Sequence, residues 1–510
     1  MKYPINRRDF LKFSSLLPLM AIDWPSLASK ASSSSQNQAS PNVLVVVFDA
    51  FSAGNASLYG YTRATTPNLA RIAEKAVVYH HHYSTANFTT PGTASLLTGT
   101  YPWTHRAIHL HGTIEKEVVQ NNLFRQFSGK GYTRLVYSHN LLSTSLLYQF
   151  RPDLEVFKWP RELCLDDNQF SDRIFPRDYN TAFIGEKLMM PLDTDVSGSL
   201  FLSLIMGWLR GAEKRQIEER LKDLYPEGVA GQYGHYYLLE TAIDWTIKTV
   251  AQLPQPFLAY IHLLPPHEPY LSRKDFVDLF ADEWKPPRKP KAHFSQGYPQ
   301  QYLNQHRRSY DEYIANVDAE FGRLYDSMAQ NGLLENTYVI FTSDHGELFE
   351  RGIQGHSTEV LYQPVIQVPL LIVNPGQTKR EDVFVNTSSV DILPTLLHLA
   401  GINIPDWCEG EILPPFANTN PDNSRSLFCM EAKTNPKLAP FNKASFAVVK
   451  GDHKLMHYIG YDNDEVPDFE MFNLADDFEE MKNRYSKNDG VSQELKDILL
   501  DKINEANQRY

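Results

Sequence analysis

The chain has 510 residues, 42% of them hydrophobic and 22% charged, and a formal net charge of −12. That composition is ordinary for a globular protein, and the length allows one large core with a smaller lobe. The acidic balance supplies no footprint for nucleic acid or an anionic lipid surface, and no nucleic-acid partner is expected.

At the start, Asn6-Arg7-Arg8-Asp9-Phe10-Leu11-Lys12, the apolar stretch from Phe13 to Ile22 and the small residues around Ala28 and Ala31 resemble a twin-arginine export signal over residues 1–31. The resemblance implies passage through the twin-arginine export machinery and a periplasmic or otherwise exported location in a bacterium. Residues 32–40, rich in Ser, Gln and Asn, read as a flexible leader. Three cysteines, Cys164, Cys408 and Cys429, are too few for a disulfide framework and do not suit a Cys-based zinc site, although one disulfide remains open.

Val43 to Phe48 is a β-branched apolar run that predicts a strand buried on both faces. It ends at Asp49, where open α/β sheets hold ligands, so Asp49 either caps the next helix or binds something. After Thr66-Pro67 a helical pattern runs through Leu69, Ile72 and Ala73. His80, His81 and His82 would alternate between faces if a strand begins there, which favours structural roles over a metal tract.

The stretch Phe88 to Pro102 follows. Proline suits the first helical position and glycine the position after the last, which predicts a short helix from Pro91 to Thr98 closed by Gly99. Thr89 then stands just before a helix N-terminus, either as a capping residue or as a hydroxyl facing an anion held there. Leu135 to Tyr137 reads as another strand, running out into Ser138-His139-Asn140.

Residues 141–250 carry no readable motif and are the expected seat of substrate specificity. Within them Ser199 to Leu209 is strongly apolar but shorter than the ~20 residues a spanning helix needs. It reads as a core helix or, more sharply, an interfacial surface; no transmembrane helix is expected in the mature chain. Glu213 to Asp223 reads as a solvated helix face.

Phe257 to Leu264 predicts a further strand, whose exit Pro265-Pro266-His267-Glu268-Pro269-Tyr270 would hold His267 rigidly between prolines. Tyr310 to Gly322 reads as an amphipathic helix with Asp318 in a structural role. Tyr338 to Thr342 predicts a strand that delivers Asp344 and His345 to the same edge as Asp49, with Glu347 and Gly355-His356 close behind and a strand from Val368 to Val373 after them.

These motifs together resemble the sulfatase family, within the wider alkaline phosphatase superfamily, from about Pro41 to Tyr485. The family's nucleophile segment is Cys or Ser, any residue, Pro, any residue, Arg, then four residues to Thr-Gly. Thr89 falls on the nucleophile, Pro91 on the proline, Thr93 on the Arg and Thr98-Gly99 on the closing pair. Asp49 matches the family's strand-end Asp, while Ala50 stands where a second Asp often follows. Ser343-Asp344-His345-Gly346-Glu347, Gly355-His356 and Val368-Pro369-Leu370 match in succession. The fold class implied is α/β, an alkaline-phosphatase-like mixed, mostly parallel sheet flanked by helices over residues 41–402, with a small C-terminal antiparallel α+β lobe over residues 403–510.

The resemblance also implies a divalent metal held by Asp49, Thr89, Asp344 and His345. A mixed carboxylate and imidazole set favours zinc or manganese over calcium, and a second metal stays open. No formylglycine is expected, because Thr89 cannot become that aldehyde; a threonine here is similar to the superfamily's phosphodiesterases and phosphoethanolamine-type transferases. Thr89, His267 and His356 are the expected catalytic groups, with His105, His139 and Asn140 as substrate-binding candidates and Glu347 orienting a neighbour. The implied function is a metal-dependent hydrolase of phosphate or sulfate esters, preferably a phosphodiesterase, acting on an anionic ester of a small molecule, glycan or lipid headgroup. The alternatives are a phospho-substituent transferase and a catalytically silent binding relative.

Overall fold

The computed structural model describes residues 40–165, 200–232, 235–417, 423–461 and 466–510. The expected export signal and most of the leader lie outside the described residues, as does much of the specificity region.

The central strand β1 (Asn42–Phe48) is buried along its whole length. It pairs in parallel with β5 (Phe257–Leu263) on one side and β6 (Thr337–Thr342) on the other. An unbroken apolar run is what such a strand requires, because helices cover both faces of a parallel sheet. Around it stand β2 (Val77–Tyr79), β3 (Thr133–Ser138), β4 (Val156–Lys158), β7 (Leu370–Val373) and β8 (Glu381–Val383). The strand order is β8-β2-β7-β6-β1-β5-β3-β4. Only β7 runs against its neighbours.

One face of this sheet packs on α1 (Pro67–Ala73), α4 (Leu239–Val250) and the long α5 (Gln300–Gln330) through Leu69, Ile243, Tyr310, Ile314 and Phe321. The other packs on α2 (Thr89–Thr98), α3 (Leu141–Gln149) and α6 (Ile392–Leu399) through Ala94, Leu97, Leu147, Leu393 and Leu396. Each fully buried aliphatic or aromatic side chain in these layers contributes roughly 1.5–3 kcal/mol. Asp318 has the structural role its helix suggests, since its carboxylate accepts from the backbone N–H groups of Asn68 and Leu69 and so caps α1.

The C-terminal part forms an antiparallel sheet of β9 (Leu427–Glu431), β10 (Ala444–Lys450), β11 (His453–Ile459) and β12 (Phe469–Asn473), with α7 (Gly490–Asn507) against it. This sheet does not stand apart. Tyr101, Trp103 and Ile108 share its core with Phe446 and Leu455. On its other face Cys429, Val449 and Met456 pack with Tyr83, Leu348 and Leu361.

In the specificity region a helix spans Leu200–Leu221. Lys214, Arg215 and Glu219 are exposed on it and Ile217 is buried against Tyr225 and Val229, as expected for a charged run on a solvated face. The apolar residues that open it lie largely outside the described side chains, apart from the exposed Trp208. No described helix is long and apolar enough to cross a membrane. No disulfide joins Cys164, Cys408 or Cys429 among the described residues.

Candidate active site

Four neighbouring parallel strands, β6, β1, β5 and β3, send their exits to one edge of the sheet. That edge receives Asp49 from β1, Asp344-His345 from β6, Asn140 from β3 and His267 from β5. Ligands bind at such edges because the exit loops converge there around the ends of the strands.

Thr89 is the first residue of α2, two positions earlier than the sequence predicts, and Phe88 occupies the capping position without a side-chain bond. Pro91 fits inside this first turn because the N–H it lacks has no helical partner there. Thr89 is therefore no capping residue. Its hydroxyl turns instead toward His345, with Oγ1 at 3.3 Å from Nε2, and it accepts from Asn140 Nδ2 at 3.4 Å. Glycine at the next turn lets α2 approach this closely: a Cβ on Gly92 would stand 2.3 Å from the Asp344 carbonyl oxygen.

Asp49, Asp344 and His345 are completely buried. One ligand atom from each lies within 4.8 Å of the others. His345 Nε2 is 3.3 Å from Asp49 Oδ1 and 3.8 Å from Asp344 Oδ2. The other ring nitrogen, Nδ1, donates to the Gly346 carbonyl at 2.9 Å, so Nε2 faces the carboxylates. Fixing one imidazole nitrogen on a backbone carbonyl and presenting the other is the arrangement of a metal-ligating histidine. Burial pulls His345 down, but Asp344 and Asp49 outweigh it and push it up to about 9. Burial and the neighbouring Asp49 raise Asp344. Burial alone would raise Asp49 too, but His262 and His345 against it hold that carboxyl well below its ordinary value. Asp49 Oδ1 is buried without a hydrogen-bond partner. Two adjacent buried carboxylates, one orphaned oxygen and an inward imidazole edge fit a divalent cation.

The two departures from the family pattern have local consequences. Thr93, at the Arg position, donates its hydroxyl to Asp344 Oδ2 at 3.2 Å, a neutral contact in place of a cation. Ala50, at the position of the second Asp, is left-handed with φ of 60°. A non-glycine residue pays for that conformation, and such strain persists only where the surroundings impose it. Here the Tyr310 hydroxyl donates to the Ala50 carbonyl at 2.6 Å and accepts from Ser52 N at 2.9 Å.

Over Thr89 lies a cleft of about 400 Å³, lined among others by Leu110, Leu142, Gln232, His267 and His356. The rings of His267 and His356 stand 4.8 Å apart, and His356 lies 4.3 Å from the His345 ring. His356 Nδ1 pairs with Glu347 Oε1 at 3.0 Å. Glu347 is thus the orienting partner of His356 rather than of a metal ligand. Burial lowers His356, although Glu347 works in the opposite direction.

The substrate-binding candidates separate. Asn140 joins the site as a positioning group: its Oδ1 accepts from Leu142 N at 2.7 Å at the start of α3, and its Nδ2 bonds Asp49 Oδ2 and Thr89. His105 does not reach the cleft. Its Nε2 meets Ser95 Oγ at 3.1 Å and its Nδ1 accepts from Ala107 N at 3.1 Å, so it ties the far half of α2 to the following loop. His139 is buried against the rings of Tyr137 and Tyr237 and does not line the cleft either. Both ring nitrogens of His139 lack a hydrogen-bond partner among the described residues, and burial pulls it to about 3. The histidine tract is structural: His80 pairs with Asp382, His81 meets the Phe384 carbonyl and His82 the Thr387 hydroxyl.

Sequence reasoning missed His262. It lies inside β5 with its Nε2 3.2 Å from Asp49 Oδ2 and 3.7 Å from Asp344 Oδ2. The signal was present: Tyr260 and His262 share one face of an otherwise apolar central strand, and a buried polar side chain there requires a partner.

An alkaline-phosphatase-like sheet with carboxylates, an imidazole and a hydroxyl gathered at its carboxyl edge defines an ester-hydrolase class of fold and site. The Sulfatase family model matches residues 41–159 and 168–402, and the model for the N-sulphoglucosamine sulphohydrolase C-terminal region matches residues 355–509. The chain belongs to the sulfatase family of hydrolases. Among curated relatives, the ulvan-active sulfatase of Formosa agariphila is 27% identical over 430 residues, covering 79% of this chain and 68% of that one. The choline-sulfatase of Rhizobium meliloti is 22% identical over 403 residues, covering 74% and 72%. Among solved structures, the phosphonate monoester hydrolase of Agrobacterium radiobacter superposes with a TM-score of 0.66 at 18% identity over 91% of this chain and 96% of that one.

Proposed function

We propose that the protein is a metal-dependent phosphodiesterase whose nucleophile is the Thr89 hydroxyl. The observation that carries this is the placement of Thr89 Oγ1 at 3.3 Å from His345 Nε2, beside Asp49 and Asp344, in a residue that has no capping duty. Phosphorus suits an unmodified alcohol nucleophile, and the likeness to a phosphonate monoester hydrolase accords with a singly charged phosphorus substrate.

Asp49, Asp344, His345 and Thr89 would hold the ion. When bound, zinc or manganese lowers the pKa of the threonine hydroxyl and offsets negative charge on the transferred group. Asn140, within 3.4 Å, aligns the attacking oxygen. Thr89 Oγ1, its hydroxyl proton given up to solvent, bonds to phosphorus as the bond to the leaving oxygen breaks. His356, its Nδ1 fixed on Glu347, presents Nε2 to give that leaving oxygen a proton. Water then attacks phosphorus, the bond to Thr89 breaks, and His356 takes the proton back from the water. Leu110 and Leu142 add apolar surface to the cleft for the ester substituent.

The test is turnover of an aryl phosphodiester, an aryl phosphomonoester and an aryl sulfate by protein loaded in turn with zinc, manganese and calcium. Diester cleavage is expected with zinc or manganese, lost on chelation and reduced at least ~10³-fold in Thr89→Ala with unchanged folding. Sulfate turnover without diester turnover, or an undiminished Thr89→Ala rate, would refute the proposal.

A further inference from the structure

Asp49 has only one free oxygen, and the groups that occupy the other come from the neighbouring strands. We propose that His262, backed by Tyr260, is a positioning residue that restricts Asp49 to a single metal-facing oxygen and so selects zinc or manganese over calcium. This rests on the metal-dependent reading of the site given above.

His262 stands opposite Val47 in the β1–β5 ladder, two residues before Asp49, so its ring passes beneath the carboxylate at the end of β1. A carboxylate oxygen can only accept, so His262 Nε2 donates to Asp49 Oδ2 at 3.2 Å. Its Nδ1 meets the Tyr260 hydroxyl at 3.2 Å, which fixes the ring from behind. Asn140 Nδ2 donates to the same Oδ2 from β3's exit. His262 and Asn140 are fully buried and Tyr260 nearly so. Neither donor can turn to water, and although Asn140 keeps Thr89 as an acceptor, freeing Oδ2 would strand the His262 Nε2–H in the interior. Asp49 Oδ1, by contrast, has no hydrogen-bond partner.

The consequence is a count of ligands. Calcium gathers about 6–8 oxygens and commonly takes a carboxylate through both, whereas zinc is content with about four N and O ligands. Ala50 removes one carboxylate from the family pattern, and the bonds from His262 and Asn140 engage the second oxygen of the remaining one. What is left is one oxygen from Asp49, the Asp344 carboxylate, one imidazole nitrogen and the Thr89 hydroxyl.

The experiment measures zinc and calcium affinities of metal-stripped protein by competition with chromophoric chelators, alongside its thermal unfolding. The variants are His262→Ala and the volume-conserving Tyr260→Phe. Orienting partners of a metal ligand typically carry roughly 10–100-fold in affinity. His262→Ala should therefore weaken zinc by at least ~10-fold while calcium holds or tightens, and Tyr260→Phe should narrow the zinc-to-calcium ratio by about threefold in the same direction. An unchanged ratio in folded Tyr260→Phe and His262→Ala, or an equal loss of both metals, would overturn it. Should His262→Ala fail to fold, Tyr260→Phe alone decides. A parent protein that takes up neither metal overturns the metal-dependent reading itself, and this inference falls with it.

Discussion

Glu347 and His356 form a pair that can be tested at the scale of a single atom. The Nδ1 of His356 is engaged by Glu347 Oε1 at 3.0 Å, both groups are nearly or fully buried, and the ring stands over the cleft beside His345. A buried carboxylate accepts an imidazole N–H strongly, fixing both the tautomer and the ring plane. Glu347→Gln replaces it with a neutral amide that can point either its oxygen or its NH₂ at the ring. A general acid contributes about 10²–10⁴ to rate, and loosening its orientation should cost about tenfold of that. The loss should fall on kcat/KM for alkyl esters, whose leaving oxygen needs the proton, and nearly vanish in kcat/KM for nitrophenyl esters, whose leaving group does not. An equal loss on both ester classes would remove His356 from the acid role.

At the same scale, what was legible in the sequence divides by how a residue announces itself. Asp49, Asp344 and His345 follow apolar strands and Thr89 sits before a helix, patterns that alone suit capping residues, and it was their match to the succession of family motifs that singled them out. His262 and Asn140 act by hydrogen bonds across strands that are distant in sequence, and only the β5 and β3 registers bring them to Asp49. His105 and His139 show the converse: both follow family-like segments, yet burial has turned them into interior packing groups.

Helix α2, which opens with Thr89, is buried at every residue, which is why it consists of small and apolar residues and not of an amphipathic pattern. Its position is set by two glycines. Gly99 closes it in the left-handed conformation at φ 62°, as a helix stop should. Gly92 has a different duty that sequence could not reveal, because the obstacle comes from the far end of β6. A Cβ there would meet the Asp344 carbonyl oxygen at 2.3 Å, and that oxygen also accepts the Ser84 hydroxyl. Backbone atoms cannot rotate away as a side chain would. Gly92→Ala is therefore expected to push α2 off the β6 exit, costing about 1–3 kcal/mol in denaturant unfolding and weakening metal uptake, since Thr89 and Asp344 would move apart. A Gly92→Ala protein with parental stability and metal affinity would show that the contact is slack.

Across the molecule, the C-terminal sheet serves as a wall for the segment that leads into Thr89. Strand β9 reaches the residues just before Thr89: Met430 N donates to the Thr85 carbonyl at 2.8 Å and Cys429 Sγ to that of Ser84, also at 2.8 Å. The family resemblance implied a small antiparallel sheet with a helix here, but the dependence of that lobe on the larger sheet was not legible, since shared cores leave no local pattern. One joint between them can be removed singly. Lys454 on β11 is completely buried, pairs with Glu480 and donates to the Leu361 carbonyl at 2.9 Å, while Glu480 Oε2 accepts from Gln363 N at 2.8 Å. Burial lowers the Lys454 pKa, and Glu480 resists that shift. Breaking such a pair from one side leaves an uncompensated charge in the interior and typically costs about 3–5 kcal/mol. Lys454→Met should show that loss in chemical unfolding, and Glu480→Gln added to it should restore a large part, because the stranded carboxylate is then gone. If the joint carries the segment before Thr89, then on the proposed function Lys454→Met should also reduce diester turnover below what its folded fraction accounts for. Full restoration of stability without restoration of turnover in the double variant would locate the effect in the positioning of Thr89. A single variant with parental stability would mean that water reaches Glu480 and that the two parts are less tightly joined than their shared cores imply.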